Sequence, residues 1–265
     1  MAELSTKYLG LTLKNPVIIG SSGLTNSVED IKKLESNGAA AVVLKSLFEE
    51  QIRLETDAKI REALADNFLY AQYSETIDYI DVYIKEKNLT DYLALIQKAK
   101  QDVLIPIIAS INCLTSQEWT GFAKKIEEAG ADALELNIFH APTDLSMDKC
   151  KTEQIYLDII QKVKSQVSIP VSVKISPYFT NLGGMIQSLS KEADGIVLFN
   201  RFFSPDIDID SMEITTANTF STPEELYNSL RWIAIMAGRV VCDLAASTGI
   251  HDGQAIVKQI LAGAK

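Results

Sequence analysis

Short, almost wholly apolar runs alternate with amphipathic segments along this chain, and this alternation restricts its fold more than any other feature. The strand candidates are Val17–Gly20, Ala41–Leu44, Ile105–Ser110, Ala133–Asn137, Val171–Ile175, Gly195–Phe199 and Arg239–Leu244. Helical periodicity marks Ser27–Asn37, Ser116–Ala129, Thr152–Gln166 and Pro223–Ala237. Strands that are apolar on both faces are typical of parallel sheets covered by helices. The pattern therefore predicts an α/β domain built on a parallel sheet.

A short signature recurs where a predicted helix meets the next strand. Gly38, Gly130 and Gly263 each stand beside alanines at such a joint, and a related joint without glycine ends at Asp194. Glycine suits the left-handed end of a helix, and small neighbours allow a tight turn into a buried strand. Seven strands followed by one more joint predict a (β/α)8 TIM barrel whose eighth β/α unit is missing from this chain. A complete, open sheet of seven strands is the alternative.

Two stretches interrupt the alternation, at about residues 49–101 and 201–222. Both follow strands, so in a barrel they belong to the loops of the C-terminal face, where active sites are built. The alternatives to a substrate lid are decoration and an oligomer contact. No low-complexity linker divides the 265 residues, so we expect residues 1–265 to form a single domain.

Charge and composition exclude several classes of partner. The net charge is −10, which argues against nucleic acid or an anionic membrane surface as the main partner. No stretch approaches the ~20 apolar residues that span a bilayer, and the N-terminus has no signal-peptide pattern. We therefore expect a cytoplasmic protein with a small-molecule ligand. Its three cysteines form no CxxC pair and only two histidines are present, so we expect reduced thiols and no metal site.

Polar or small residues stand at the C-terminal ends of nearly all the apolar strands. In strand order they are Ser22 and Gly23, Lys45 and Ser46, Asn112, Asn137, Lys174, Asn200, and Ser247, Thr248 and Gly249. Taken singly, an asparagine is more often a turn residue and a lysine usually reaches solvent. In a barrel, however, all of them would converge on one mouth. Amide and ammonium groups with few carboxylates suit a planar ligand rich in carbonyl and ring-nitrogen acceptors rather than a divalent metal.

The segment Ser247–Gly249 precedes a helix, whose free N–H groups and dipole favour phosphate. Barrels commonly bind phosphate with the loops after strands 7 and 8, although an ordinary helix cap is the alternative. No GxGxxG or GxxxxGK motif occurs, so a Rossmann or P-loop nucleotide site is not expected.

The order of NPVIIGSSGL, AVVLKS, ALELN, IPVSVKISPYF, GIVLFN and ASTGI resembles the dihydroorotate dehydrogenases, and most closely their cytosolic class. The similarity extends over residues 15–265. It implies a flavoprotein barrel that holds FMN at its mouth and oxidises dihydroorotate, or a related dihydropyrimidine, in pyrimidine biosynthesis. By analogy with cytosolic relatives it also implies a homodimer.

The resemblance assigns roles to the residues at the mouth. Ser22 and Gly23 would approach the isoalloxazine ring, and Ser46 would contact the flavin. Lys45 would lie near both flavin and substrate, as a catalytic candidate. Lys174 would lie beside the pyrimidine edge of the flavin, where a cation stabilises the reduced ring.

The asparagines and the last loop receive binding roles from the same resemblance. Asn137 and Asn200 would hydrogen-bond the substrate ring or the flavin, with Asn112 as a less certain partner. The loop Ser247–Gly249 would bind part of the phosphate.

The chain departs from the family pattern after the fourth strand. Where the family has a Cys or Ser base followed by Pro-Asn, this chain reads NIFHAPT over residues 137–143, which puts His140 at the base position. A histidine can take a proton from a substrate carbon, although a solvent-facing loop residue is an equal alternative. The family's asparagine-rich substrate loop is unrecognisable in residues 66–74. The alternative function is therefore a barrel that binds a ligand without redox turnover, and an aldolase using Lys174 as a Schiff-base amine is a third.

Overall fold

The computed structural model describes residues 3–49, 52, 55, 56, 58, 59, 74–113, 116–139, 149–201, 205–216 and 220–265. Its strands are β1 Thr6–Tyr8, β2 Leu11–Leu13, β3 Ile18–Ile19, β4 Ala41–Val43, β5 Leu47–Phe48, β6 Ile107–Asn112, β7 Ala133–Asn137, β8 Val171–Ile175, β9 Gly195–Leu198, β10 Pro205–Asp208, β11 Glu213–Thr216 and β12 Asp243–Ala246. Its helices are α1 Val28–Ser36, α2 Ser74–Asp102, α3 Ser116–Glu128, α4 Lys149–Lys164, α5 Leu182–Leu189, α6 Leu226–Met236 and α7 Gly253–Ala262.

One parallel sheet organises the domain. Its strands lie side by side in the order β3, β4, β6, β7, β8, β9 and β12, and the short β5 also pairs with β6. Neighbours along the chain are neighbours in the sheet, without the reversal of order that marks a doubly wound fold. This is the strand order of a barrel, and it confirms the predicted α/β class. Among the described residues no strand joins β12 to β3, which is consistent with an incomplete barrel, and a missing eighth β/α unit stays a prediction.

The glycine joints have the conformation that the sequence predicts. Gly38, Gly130 and Gly263 have φ angles of 100°, 94° and 114°, a region that residues with a Cβ rarely occupy. At the third of these joints the Lys265 N–H donates to the Leu244 carbonyl of β12 at 2.9 Å. Each glycine therefore ends a helix where the chain turns back toward the sheet.

The two faces of the sheet pack against different partners. On the outer face, alternate strand residues such as Ile107, Leu134 and Val173 are buried beneath the helices in the main apolar core. On the inner face, a smaller cluster joins Ala41 and Ala133 to the β1–β2 hairpin, which closes the N-terminal end of the sheet. The side chains at the opposite, C-terminal end of the strands face the mouth.

The close approach of this hairpin explains a glycine in β9. A Cβ on Gly195 would lie 2.7 Å from Cδ2 of Leu9 and 3.3 Å from the hydroxyl of Tyr8. Both strands of the hairpin have only three residues, and the sequence did not predict them.

The described C-terminal part of the long insertion predicted at residues 49–101 is a helix. α2 occupies Ser74–Asp102 and is the connection between the second and third strands of the sheet. Ile84, Leu89, Tyr92 and Ile96 recur on its buried side at helical spacing. The tyrosine-rich, weakly periodic beginning of the segment hid this pattern.

Several element boundaries differ from the predictions by a few residues, and two differences concern the C-terminal third of the chain. Part of the stretch 201–222 forms an antiparallel hairpin of β10 and β11. The seventh strand was predicted at Arg239–Leu244 but lies at Asp243–Ala246. Val241, two residues before it, is 84% exposed and is not part of the buried sheet. Within the described ranges, no helix has the length and apolarity that crossing a membrane requires.

Candidate functional site

Three of the predicted site residues meet at the C-terminal ends of adjacent strands. Asn137 ends β7 and stands in register with Lys174 of β8, and Asn200 follows β9. Asn137 and Lys174 are only 7% and 8% exposed, although both are polar. The Asn200 side-chain amide donates to Oδ1 of Asn137, and the Asn200 backbone N–H donates to the Ile175 carbonyl at 2.8 Å. The sheet thus presents a buried ammonium beside two mutually oriented amides.

A second group of polar side chains links the first three strands of the sheet. The Ser46 N–H donates to Oγ of Ser21 at 2.9 Å, and these two hydroxyl oxygens lie 3.1 Å apart. The Ser46 hydroxyl also lies 2.7 Å from that of Ser110, which is fully buried in β6. Ser21 and Ser110 received no role from the sequence, although each also lies at the C-terminal end of an apolar strand. The chain of hydroxyls runs from the mouth into the interior.

The sheet is interrupted at Ser110, and a helix side chain fills the interruption. Ile107 and Ile108 of β6 pair with β4, whereas Ile111 and Asn112 pair with β5. Between these pairs, the Tyr92 hydroxyl of α2 accepts from the Ser110 N–H at 2.8 Å and donates to the Ser110 carbonyl at 2.9 Å. Burial raises the Tyr92 pKa, so this hydroxyl keeps its proton. Both backbone groups of Ser110 are therefore satisfied without a strand neighbour.

The turn after β3 holds the backbone of Lys45. Ser22 caps the turn by accepting from the Leu24 N–H at 3.3 Å, and the Lys45 N–H donates to the Thr25 carbonyl at 3.4 Å. The Lys45 side chain is exposed and, with Ser46 and Tyr92, lines a cavity of about 240 Å³ on the side of α2.

Several predicted residues are not joined to the Asn137–Lys174–Asn200 group. Gly23 lies exposed in the turn after β3. Asn112 is half-buried and in register with Phe48 of β5. Lys45 opens on the cavity beside α2, whose lining includes neither Asn137 nor Asn200.

The loop Ser247–Gly249 is tightly held. The Ser247 N–H donates to the Leu198 carbonyl at 2.7 Å, and the Gly249 N–H donates to Oγ of Ser221 at 3.2 Å. The Ser221 hydroxyl also lies 3.3 Å from Nε2 of His251. Thr248 has a φ of 73°, which is strained for a β-branched residue, and such strain is concentrated at functional loops.

Helix α7 begins only after this loop. Its N-cap is Asp252, whose carboxylate accepts from the Ala255 N–H at 2.7 Å. The Asp252 carboxylate therefore already occupies the N-terminus of this helix, where the sequence predicted a phosphate. The backbone N–H groups that could bind a phosphate are those of the loop Ser247–Gly249. Ser221 and His251 had no role in the sequence prediction, because only the fold brings Ser221 beside a loop 28 residues away.

Below the mouth, the inner face carries a row of polar residues. Ser110, Glu135 and Ser172 stand in register on β6, β7 and β8, and all three are buried. Burial raises the pKa of the Glu135 carboxyl, and the charge of Lys174 opposes that rise. Glu135 belongs to the polar end of the fourth apolar strand, ALELN, but received no role from the sequence.

A cavity of about 620 Å³ lies at the other end of the sheet, among residues that precede or begin β8, β9 and β12. Its acidic side chains already have partners: Asp194 pairs with Lys164 at 2.8 Å, and Asp243 accepts from the Leu9 N–H at 2.9 Å. Burial raises the pKa of the Cys242 thiol to about 12, so the thiol is neutral. The polar groups of this cavity therefore stabilise the fold and do not form a candidate reactive site.

Comparison with known proteins identifies the family. The family model described as dihydroorotate dehydrogenase matches residues 3–265. The chain belongs to the dihydroorotate dehydrogenase family. The resemblance seen in the sequence is thereby confirmed.

Individual members of the family give the same result at modest identity. The catalytic subunits of dihydroorotate dehydrogenase B (NAD(+)) from Thermoplasma acidophilum and Thermoplasma volcanium are 26% and 27% identical to this chain. In both comparisons all of this chain aligns with 85% of the relative. The corresponding subunit from Methanocaldococcus jannaschii is 28% identical over 98% of this chain and 84% of its own.

Two of the departures from the dihydroorotate dehydrogenase pattern lie outside the described residues. These are His140 at the base position and residues 66–73 of the substrate loop. Within the described part of the chain, no group of three or more His, Cys, Asp or Glu side chains could hold a metal ion.

Proposed function

We propose that this protein is an FMN-dependent oxidoreductase that acts on dihydroorotate or a closely related dihydropyrimidine at the mouth of the sheet. The observation that carries the proposal is the grouping of Asn137, Lys174 and Asn200 on three adjacent strand ends. Relatives named as dihydroorotate dehydrogenases over the whole chain support the same reaction class. They do not favour the alternative, a barrel that binds a ligand without redox turnover.

The polar residues at the mouth fit a flavin. The pyrimidine edge of an isoalloxazine ring presents carbonyl oxygens and ring nitrogens, which need a mixture of donors and acceptors. The Asn200–Asn137 hydrogen bond fixes the two amides, so that each presents its other polar atom in a defined direction. The Lys174 ammonium is a donor and a positive charge in a site from which most water is excluded.

FMN, when bound, supplies the acceptor for the electron pair that leaves the substrate. Lys174 would offset negative charge on the reduced ring, and the low local polarity would strengthen that effect. We assign ring contacts to Ser22, Gly23 and Ser46, with Asn112 at the margin of the site.

The loop Ser247–Gly249 is the proposed phosphate contact. The Gly249 N–H already donates to the Ser221 hydroxyl, which therefore marks where an acceptor can sit. A phosphate oxygen that replaced this hydroxyl would also lie near the ring of His251.

Lys45 and His140 are the proposed groups that act on the substrate. Lys45 is exposed beside the mouth, and His140 follows the strand that carries Asn137 by three residues. A homodimer and a cytoplasmic location are proposed by analogy with the cytosolic class alone.

The experiment that tests this function compares two lysines of the same domain. The purified protein is titrated with FMN and then treated anaerobically with dihydroorotate, while the visible flavin absorption is followed. We expect FMN to bind and to be bleached by dihydroorotate. Lys174→Met should reduce the bleaching rate by about 10²-fold, as the loss of one preorganised charge contact does.

Lys164→Met is the matched control, because Lys164 lies at the opposite end of the sheet in an exposed ion pair. It should bind and reduce FMN as the unaltered protein does. Failure of the unaltered protein to bind FMN, or equal rates for both variants, would refute the proposed function.

A further inference from the structure

On the inner face of the sheet, the carboxyl of Glu135 lies near the buried lysine of the mouth. Glu135 lies on β7 opposite Ser172 of β8, and Asn137 lies opposite Lys174. Alternate residues of a strand face the same side, so Glu135 and Lys174 both point inward, one row apart. Diagonal neighbours of this kind have Cα atoms about 7–8 Å apart, within reach of long side chains.

Both side chains are withdrawn from water. Glu135 is 4% exposed and Lys174 is 8% exposed. Within the described part of the chain, Oε1 of Glu135 has no hydrogen-bond partner. A buried ammonium and a buried carboxylate each lose hydration, and each is tolerated better when the other is charged.

The protonation of Glu135 therefore depends on Lys174. Burial raises the Glu135 pKa, while the positive charge of Lys174 lowers it. A negative charge placed against Lys174 from the mouth would weaken that attraction and would itself repel a carboxylate. Both effects favour the neutral carboxyl.

We propose that Glu135 is a positioning residue for Lys174, holding its ammonium below the mouth and taking up one proton when a ligand brings negative charge against that ammonium. The proton comes from solvent and adds to a carboxylate oxygen of Glu135, and no other bond changes. The proposal rests on the proposed flavin site, since reduction of a flavin is the event that brings the charge.

The other titratable groups near Glu135 do not compete for this proton. Tyr8 reaches the same row from β1, and Tyr92 reaches Ser110 from α2. Burial, with a smaller effect of the Glu135 charge, raises the pKa of both phenols, so they stay neutral. The carboxylate of Asp243, near Tyr8, accepts a hydrogen bond from the Leu9 N–H.

The first test needs no flavin. Infrared spectra of the protein across a pH series should contain a protonated carboxyl band that titrates above the range of ordinary glutamates and is absent from Glu135→Gln. In Lys174→Met the midpoint of this band should move to higher pH, because the opposing charge is gone. A midpoint that is the same with and without Lys174 would overturn the proposal.

The second test uses the protein loaded with FMN. The midpoint potential of the bound flavin should fall more steeply with increasing pH in the unaltered protein than in Glu135→Gln. The difference between the two slopes should correspond to the uptake of one proton. The potential of Glu135→Gln at neutral pH should be higher, because a negative charge is missing. Glu135→Asp, which restores a carboxyl, should recover part of the pH dependence.

Ser172→Ala is the control for a merely structural effect, because Ser172 stands beside Glu135 in the same buried row. It should leave the potential and its pH dependence unchanged. If FMN does not bind at all, the proposed function fails, whereas the infrared result still decides whether Glu135 and Lys174 are coupled. Equal pH dependence in all variants refutes the role of Glu135.

Discussion

The two ends of the parallel sheet use polar residues in opposite ways. At the N-terminal end, which we call the foot, acidic side chains accept from backbone N–H groups near the starts of strands and in the β1–β2 turn. The pairs are Glu35 with Leu104 and Ile105, Glu127 with Ser168 and Ile169, Asp132 with Ile107, Asp194 with Val171, and Asp243 with Leu9. At the mouth, amide and ammonium groups face one another and the opening of the sheet.

This difference follows from what each end must satisfy. At the foot, backbone N–H groups near the start of a strand have no strand partner, and a carboxylate from the helix or joint that precedes a neighbouring strand supplies the acceptor. Lys100 and Lys164 then balance the charges of Asp132 and Asp194 at 2.7 and 2.8 Å. The mouth places the Lys174 ammonium and the Asn137 and Asn200 amides at the position where barrels have their chemistry. The carboxylates of the foot thus stabilise the fold, and the mouth is the proposed ligand site.

Removing one carboxylate acceptor at the foot should give the largest effect on stability without affecting the mouth. Asp132→Ala deprives both the Ile107 N–H and Lys100 of their partner. We expect unfolding in urea to require about 1–3 kcal/mol less free energy, the cost of an unsatisfied, part-buried donor. FMN affinity should not change. A variant that loses FMN at unaltered stability would contradict the assignment.

The acid sensitivity of the foot gives a second, smaller test. Ser168 and Ile169 donate to Glu127, and these bonds hold its pKa below the ordinary value of 4.5. A carboxyl with a depressed folded pKa contributes stability above its unfolded pKa and loses it as the pH falls through the folded value. Glu127→Gln should therefore show less loss of unfolding free energy below about pH 4.5 than the unaltered protein. If the free energy of unfolding depended on pH in the same way in both proteins, Glu127 would not contribute to the loss of stability in acid.

The smallest effect is expected from relieving strain at the mouth. Thr248→Gly removes a Cβ from a left-handed position and should raise the free energy of unfolding by about 1 kcal/mol. Thr12→Gly in the extended strand β2 is the matched control and should lower it. Urea titrations of both variants measure the difference, and a loss of stability in Thr248→Gly would mean that the threonine side chain contributes more than its backbone costs.

Much of the fold could be predicted because the strands are apolar on both faces and the joints carry glycines. Asn137, Lys174 and Asn200 could be predicted as a group, since each is a polar residue at the end of such a strand. Glu135 received no role because Lys174 belongs to another strand and only the register places the two residues near each other. The Ser221–Gly249 contact likewise depends on how a distant loop folds back. Three-residue strands such as β1 and β2 carry too little pattern to be seen in a sequence.

The Tyr92 hydroxyl makes a helix part of the backbone pairing of the sheet. It serves as both donor and acceptor for Ser110, as a peptide group of a neighbouring strand would. A movement of α2 away from the sheet must stretch these two bonds directly, so the position of the helix is transmitted to Ser110 and, through its hydroxyl, to Ser46. At Ser110, the Tyr92 side chain thus joins α2 to the edge of β6, next to the residues where the second and third strands of the sheet pair directly.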